Sequence, residues 1–237
     1  MQTINTNVSS LFGQVALNRS ANALLTAQQR LSSGLRINSA RDDATGLATA
    51  SNYDMEVRAA NMLARNANDA ISLAQIADGY LAQIQDNTVR LSEIFNQTGA
   101  VTNSEAASLL AENTRLSGLV VASAAVTVDI GGGTAGGSGA AFTAASTFAN
   151  YAAFTTEIGN ITSARAAFGA DMAGLASAIN ALQVESVNAA AAYSRVMDTD
   201  YAVETTASTK NQILQQAGMA SLAQSNQNPS MVLTLLR

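Results

Sequence analysis

Apolar positions near the start of the chain step by four and three. Leu17, Ala21, Leu24, Leu31 and Leu35 keep that alternation with only Gln28 interrupting, the heptad pattern of a helix that packs lengthwise. The spacing predicts a helix from about Ser9 to Ser33, with Asn5, Thr6 and Asn7 as capping candidates and Gly34 at a position where an end or a kink is cheap. The polar run Asn38 to Asp43 reads as a connector, and by residue type alone Arg41, Asp42 and Asp43 make a solvated turn.

Helical spacing returns from Ala44 to Thr98. Val57, Ala60, Ala64, Ala67, Ile71 and Ala74 alternate three and four, and after a slip Ala77, Leu81, Ile84, Leu91 and Phe95 continue. Thr98 and Gly99 end this element, and Asn103, Ser104 and Glu105 begin another that runs to about Ser117. Between Leu119 and Asn160 the character changes: VVASAAVTVDI alternates partially with β-branched residues, and GGGTAGGSGAAFTAAST follows. A short strand or hairpin and a surface loop are expected there. The glycines are not a phosphate cradle, because no Lys follows at the P-loop spacing and GxGxxG does not fit.

A third long helix is predicted from about Ile161. Phe168, Met172, Leu175, Ile179, Leu182, Ala189, Tyr193 and Val196 step by four and three, with Ser186 as the one lapse, so Phe and Met here read as core. Asp198 and Asp200 interrupt the stripe before helix resumes through Val203, Ile213 and Leu214. In the last stretch, Leu214, Ala217, Leu222 and Ala223 share one helical sector while Gln212, Gln215, Gln216 and Gln224 fill much of the rest. That apolar side has no local cover, and the N-terminal heptad stripe is its natural complement.

The expected fold is mainly α: long coiled-coil helices from both termini packed as a rod, with a small β-hairpin or loop region in the middle. Residues 1–43 and 200–237 form one domain, 44–118 and 161–199 are the two parts of a helical rod domain, and 119–160 is the variable segment. Composition agrees with close helix packing, since 48% of residues are hydrophobic but only 5% are aromatic and none is Trp. The single proline, Pro229, leaves long stretches without an obligatory breaker.

Charge and missing residue types narrow the chemistry. The net charge is −5 and Lys210 is the sole lysine, so the basic footprint of a nucleic-acid binder is absent. Without Cys or His the chain has no disulfides, no thiolate or imidazole metal sites and no triad with an imidazole base. No catalytic residue, cofactor or metal site is expected. The first residues do not read as a cleavable secretory signal, and no stretch is long and apolar enough to span a bilayer. A cytoplasmic location follows unless the protein leaves by a route that reads no cleaved signal.

Several stretches together resemble the bacterial flagellins. SSGLRINSARDDATGLA, Ser32 to Ala48, and ARNANDAISLAQIADG, Ala64 to Gly79, resemble the N-terminal signature of that family. Asp200 to Ala202 followed by Glu204, then NQILQQAG and the closing VLTLLR, resemble the C-terminal one. The resemblance implies a filament subunit whose termini form an inner coiled-coil domain, with no room in residues 119–160 for large outer domains. It implies assembly and core roles for Leu17, Leu24, Leu31, Leu35, Leu214, Leu222, Leu233 and Leu236, and inter-subunit contacts at Arg41, Asp42 and Asp43.

The same resemblance implies export, unfolded and uncleaved, through the flagellar type III apparatus to an extracellular filament. Expected partners are further copies of the chain, an export chaperone, the filament cap and hook-junction proteins, with neither nucleic acid nor membrane. A Toll-like innate receptor contacts some flagellins around Arg90: Arg90 and Glu93 match that motif, Ile94 replaces a leucine, and Glu112 matches on the next helix, whereas Ser92 and Phe95 do not. Alternative readings are a hook-filament junction protein of the same family and a secreted amphipathic membrane translocator. Burying each Leu or Ile contributes about 1.5 to 3 kcal/mol, against roughly 1 to 2 kcal/mol per residue for ordering the chain. Isolated termini are therefore expected to stay disordered and to fold on assembly.

Overall fold

The computed structural model describes residues 7–124, 128–129, 134–135 and 142–235. Among them are five helices: α1 (Val8–Ser33), α2 (Ala44–Thr98), α3 (Ser104–Ala124), α4 (Tyr151–Met197) and α5 (Tyr201–Leu235). Each is preceded by Asn or Asp whose side-chain oxygen accepts an amide of the first turn. The pairs are Asn7 with Ser10 (3.1 Å), Asp43 with Gly46 (2.8 Å), Asn103 with Ala106 (2.8 Å), Asn150 with Ala153 (3.0 Å) and Asp200 with Ala202 (2.8 Å). Gly34 and Gly99 close α1 and α2 in the left-handed conformation, φ 72° and 71°, and their N–H groups return to Arg30 and Phe95 carbonyls.

The first two helices match the bounds read from spacing, but the middle segment does not. The end of α3 extends to Ala124, where a strand was expected, and α4 starts at Tyr151 rather than near Ile161. The cause is burial: Val120 is completely covered, and Phe154 and Ile161 carry the apolar stripe of α4 upstream of Phe168. Strands β1 (Val128–Asp129) and β2 (Thr134–Ala135) pair antiparallel, Val128 opposite Ala135 and Asp129 opposite Thr134. The remainder of the expected hairpin or loop lies outside the described residues.

Contacts divide the chain into two units, one comprising residues up to Asp54 and from Ala190 onward, the other Met55–Ala189. In the second unit α2, α3 and α4 enclose a core of Ala77, Leu81, Ile84, Leu116, Val120, Ile161 and Phe168. The non-helical residues leading into α4 supply buried side chains too. Phe142 and Ala144 join the first cluster, while Phe148 stacks on Phe154 at 4.2 Å beside Leu91 and Ile94. The buried Glu157 carboxylate accepts the Ala145 N–H at 2.9 Å and holds this segment down.

Polar groups set the register of the same unit. The buried Asn87 amide donates to Asn113 Oδ1 at 2.9 Å, and Gln83 donates to Asn87 Oδ1 at 3.0 Å, so α2 and α3 are joined by a satisfied network. Arg165 of α4 grips Asp78 of α2 at 2.7 Å and reaches Gln85 at 3.2 Å.

In the first unit α1 and α5 run antiparallel, as the pairs Gly13 with Leu222, Leu17 with Gly218 and Leu31 with Tyr201 require. Beyond Gly34, a single antiparallel bridge joins Leu35 to Asp198. The Arg36 N–H donates to the Met197 carbonyl at 2.6 Å and its guanidinium to Val196 O, while Thr199 N–H returns to Gly34 O at 3.0 Å. Ile37, Ala50 and Met197 pack beneath this crossing.

Candidate functional site

The functional residues expected at the termini fall on α1 and α5, and their surroundings follow from which heptad register closes the pair. On α1 two series interleave at seven-residue steps: Leu17, Leu24 and Leu31, and the small residues Gly13, Ser20, Ala27 and Gly34. All are buried or half-buried. Gln28, which interrupted the spacing read from apolar residues, is exposed, and Ala27 takes its place in the seam. On α5 the inward positions are Glu204, Ser208, Asn211, Gln215, Gly218, Leu222 and Ser225, again in steps of four and three.

Small residues let the backbones approach. A methyl group on Gly13 would stand 2.8 Å from Leu222 Cδ2, and one on Gly218 would stand 3.3 Å from Leu17 Cδ1. Each leucine thus fills the hole that a glycine on the facing helix leaves. Counting apolar positions passes over both glycines; the sequence marks them only by their seven-residue spacing from Ser20 and from Asn211 and Ser225.

Large apolar side chains are left outside. Val8, Leu11, Phe12, Val15 and Leu25 of α1 and Val203, Ile213 and Met219 of α5 are exposed, Phe12 to 76%. Leu214 joins them at 48%, which corrects its expected place beside Leu222: the seam passes through Asn211 and Gln215, so Leu214 is turned out by one helical step. Ala217 and Ala223 are exposed for the same reason. Leu17, Leu24, Leu31, Leu35 and Leu222 are half-buried, Leu233 lies within α5, and Leu236 is outside the described residues. A groove of about 780 Å³ between the two helices is lined by Phe12, Val15, Leu17, Leu214 and Gly218, with Arg19 and Lys210 among its walls.

One charge sits inside the pair. Glu204 is 8% exposed and lies 3.7 Å from the Arg30 guanidinium, whose Nε is buried with no hydrogen-bond partner. Tyr201 donates its hydroxyl to the Leu31 carbonyl at 3.0 Å, which anchors the start of α5 on the last turn of α1.

The connector is a built turn, although its residues are largely exposed. Asp42 Oδ2 accepts the Ser39 hydroxyl and N–H at 3.0 Å and the Asn38 N–H at 3.2 Å. The Ser39 hydroxyl is the largest effect and favours the anion; desolvation opposes it, and the Asn38 and Ser39 amides add to the net lowering of the Asp42 pKa. Asp43 caps α2 through Gly46, and Gly46 has no room for a side chain between the Asp43 carboxylate and Ile37. Arg41 is exposed beside them.

In the other unit, Arg90 and Glu93 are exposed neighbours on α2, and Arg90 bridges Glu93 and Glu105 of α3 at 2.9 Å each. Glu105, and then Glu93, raise the Arg90 pKa. Glu112 is paired with Arg115 at 2.7 Å. Ile94 does not share their surface: it is 2% exposed, packed with Leu91, Ala106 and Phe154, so the expected receptor contact is corrected at that residue.

The sequence profile of the bacterial flagellin N-terminal helical region matches residues 4–120, and that of the C-terminal helical region matches residues 152–236. The chain belongs to the bacterial flagellin family. Only residues 121–151 separate the two flagellin regions here, which span α1 to α3 and then α4 with α5. Among curated relatives, the flagellin of Salmonella rubislaw is 49% identical over 104 residues, and that of Escherichia coli K12 is 47% identical over the same length. The phase 2 flagellin of Salmonella typhimurium LT2 is also 49% identical. Each match covers 44% of this chain and 21% of the relative, so it spans about a fifth of those flagellins. Among the described residues, no helix is long and apolar enough to cross a membrane.

Proposed function

We propose that this chain is a structural subunit of the extracellular bacterial flagellar filament and that its work is mechanical. One observation carries the reading: the terminal helix pair closes on small and polar residues with leucines set among them, and leaves Phe12, Val15, Ile213, Leu214 and Met219 uncovered. Burying such side chains contributes about 1.5 to 3 kcal/mol each. Neighbouring copies supply that cover, and a repeated head-to-tail contact that does not close on itself builds an open helical polymer. Residues 1–43 with 200–237 are the inner filament domain in this reading, and 44–118 with 161–199 the helical rod domain joined to it. Arg41, Asp42 and Asp43 carry contacts between subunits. Export proceeds unfolded and uncleaved, with a chaperone, the filament cap and hook-junction proteins as transient partners.

Electron microscopy and sedimentation of the concentrated full chain test this. Filaments are expected from the full chain and none after deletion of Gln212 to Arg237; filaments from the truncated chain would overturn the role of the terminal helices. Recognition by a Toll-like receptor is proposed through the Arg90, Glu93 and Glu112 surface without Ile94. An unchanged receptor-reporter response after Arg90→Ala would remove it.

A further inference from the structure

The start of α1 meets α5 at the side chain of Asn7, which bonds to both helices. Asn7 Oδ1 accepts the Ser10 N–H at 3.1 Å and lies 3.4 Å from the Ser225 hydroxyl, while Asn7 Nδ2 donates to the Ser225 carbonyl at 2.9 Å. Because Ser10 N–H is only a donor and the Ser225 carbonyl only an acceptor, they fix which end of the amide is which. In an α-helix the Ser225 carbonyl takes its hydrogen bond from the residue four positions on. That residue is Pro229, which lies inside α5 and has no N–H to give.

We propose that Asn7 is a positioning residue for assembly: its side chain replaces the donor that Pro229 removes and so clasps the first turn of α1 to the last third of α5. One side chain thereby satisfies two orphaned backbone groups, a first-turn amide of α1 and the carbonyl left open upstream of the proline. The clasp fixes the longitudinal register of the pair at its free end, where Gly13 must receive Leu222 and Gly218 must receive Leu17. The proline is then a selector, because in an uninterrupted α5 the Ser225 carbonyl already has its helical donor and no longer depends on Asn7. This inference rests on the proposed assembly for its functional consequence and on hydrogen bonding alone for its geometry.

Four full-length chains test it: wild type, Asn7→Ser, Pro229→Ala and the double variant. Serine keeps the capping oxygen at equal strength but has no amide to donate. With Pro229 present, loss of one hydrogen bond to a carbonyl left unpaired raises the critical concentration for polymerisation about fivefold. In the Pro229→Ala background the helix supplies its own donor, and Asn7→Ser is expected to change nothing. An Asn7→Ser chain equal to wild type, or an equal loss in both backgrounds, overturns the clasp.

Failure of the wild type to polymerise would instead overturn the assembly reading. The clasp is then read by hydrogen exchange on the soluble chains at the Ser10 and Leu11 amides, where Leu11 N–H bonds to Asn7 O at 3.1 Å. Protection in the wild type that is lost in Asn7→Ser, with Pro229→Ala and the double variant equal to each other, supports it. No protection in the wild type, protection kept in Asn7→Ser, or a further loss on going from Pro229→Ala to the double variant defeats it.

Discussion

Leu222 lies over Gly13 so closely that a methyl group on the glycine would come within 2.8 Å of a leucine methyl. The contact decides how near the two terminal helices stand, and Leu17 over Gly218 repeats it with the roles exchanged. Gly13→Leu is therefore expected to force the pair apart, at a cost of about 1 to 3 kcal/mol per subunit from overpacking. The polymer fraction, measured by sedimentation, should fall. Adding Leu222→Ala should restore part of it, and an unchanged polymer fraction in Gly13→Leu would show that the helices do not meet there.

Gly46 gives a second prediction, confined to the start of α2. A side chain at that position would meet the Asp43 carboxylate and would stand 2.8 Å from Ile37 Cδ1. Gly46→Ala normally favours a helix by about 1 kcal/mol, but here it should destabilise by about 1 to 3 kcal/mol through overpacking and disturbance of the Asp43 cap. Thermal unfolding followed by circular dichroism reads the sign directly. A raised midpoint would contradict the geometry.

The buried amide pair between α2 and α3 should behave asymmetrically. Asn113→Ala removes the acceptor of Asn87 Nδ2 and leaves that donor buried. The expected loss is about 1 to 3 kcal/mol. Replacing both Asn87 and Asn113 by Leu should cost less than Asn113→Ala alone, since neither buried amide is then stranded and the exposed Gln83 can turn to water. Urea unfolding midpoints of the three chains provide the comparison, and equal shifts for the single and double variants would argue against the network.

Acid should open the connector turn. The Asp42 pKa is lowered in the folded state, first by the Ser39 hydroxyl and then by the Asn38 and Ser39 amides. A group with a depressed folded pKa binds fewer protons when folded, so its stabilisation is present above the ordinary carboxylate range and is lost as pH falls through the folded value. The amide resonances of Asn38 and Ser39 should titrate with a midpoint below that of a free aspartate. Asp42→Asn should abolish this titration and Ser39→Ala should raise its midpoint; a wild-type midpoint at the free value would deny the bonds.

Much of this architecture was legible without coordinates. Gly34 and Gly99 mark the ends of α1 and α2 because a left-handed cap favours glycine, and the apolar steps along α2 and α4 are buried or half-buried where they were read. The aromatic residues Phe142, Phe148 and Phe154 were not legible as core. Their Gly- and Ala-rich surroundings carry no repeat, and only the folded unit brings them against Leu81, Leu91 and Ile94. Ile94 was misread in the opposite direction, as surface.

By itself the sequence determined α1 and α2, their glycine ends and the family resemblance, because those depend on local hydrogen bonding and on residue order. Which face of α1 meets α5 was a tertiary decision. Leu17, Leu24 and Leu31 belong equally to a register through Ala21, Gln28 and Leu35 and to one through Gly13, Ser20 and Ala27, so leucine spacing cannot separate them. The second register wins because Leu222 needs a hole opposite it and only a glycine on α1 provides one. Hydrophobic pattern records how each side chain stands toward water; which shape must fit beside it is set only when the other helix arrives.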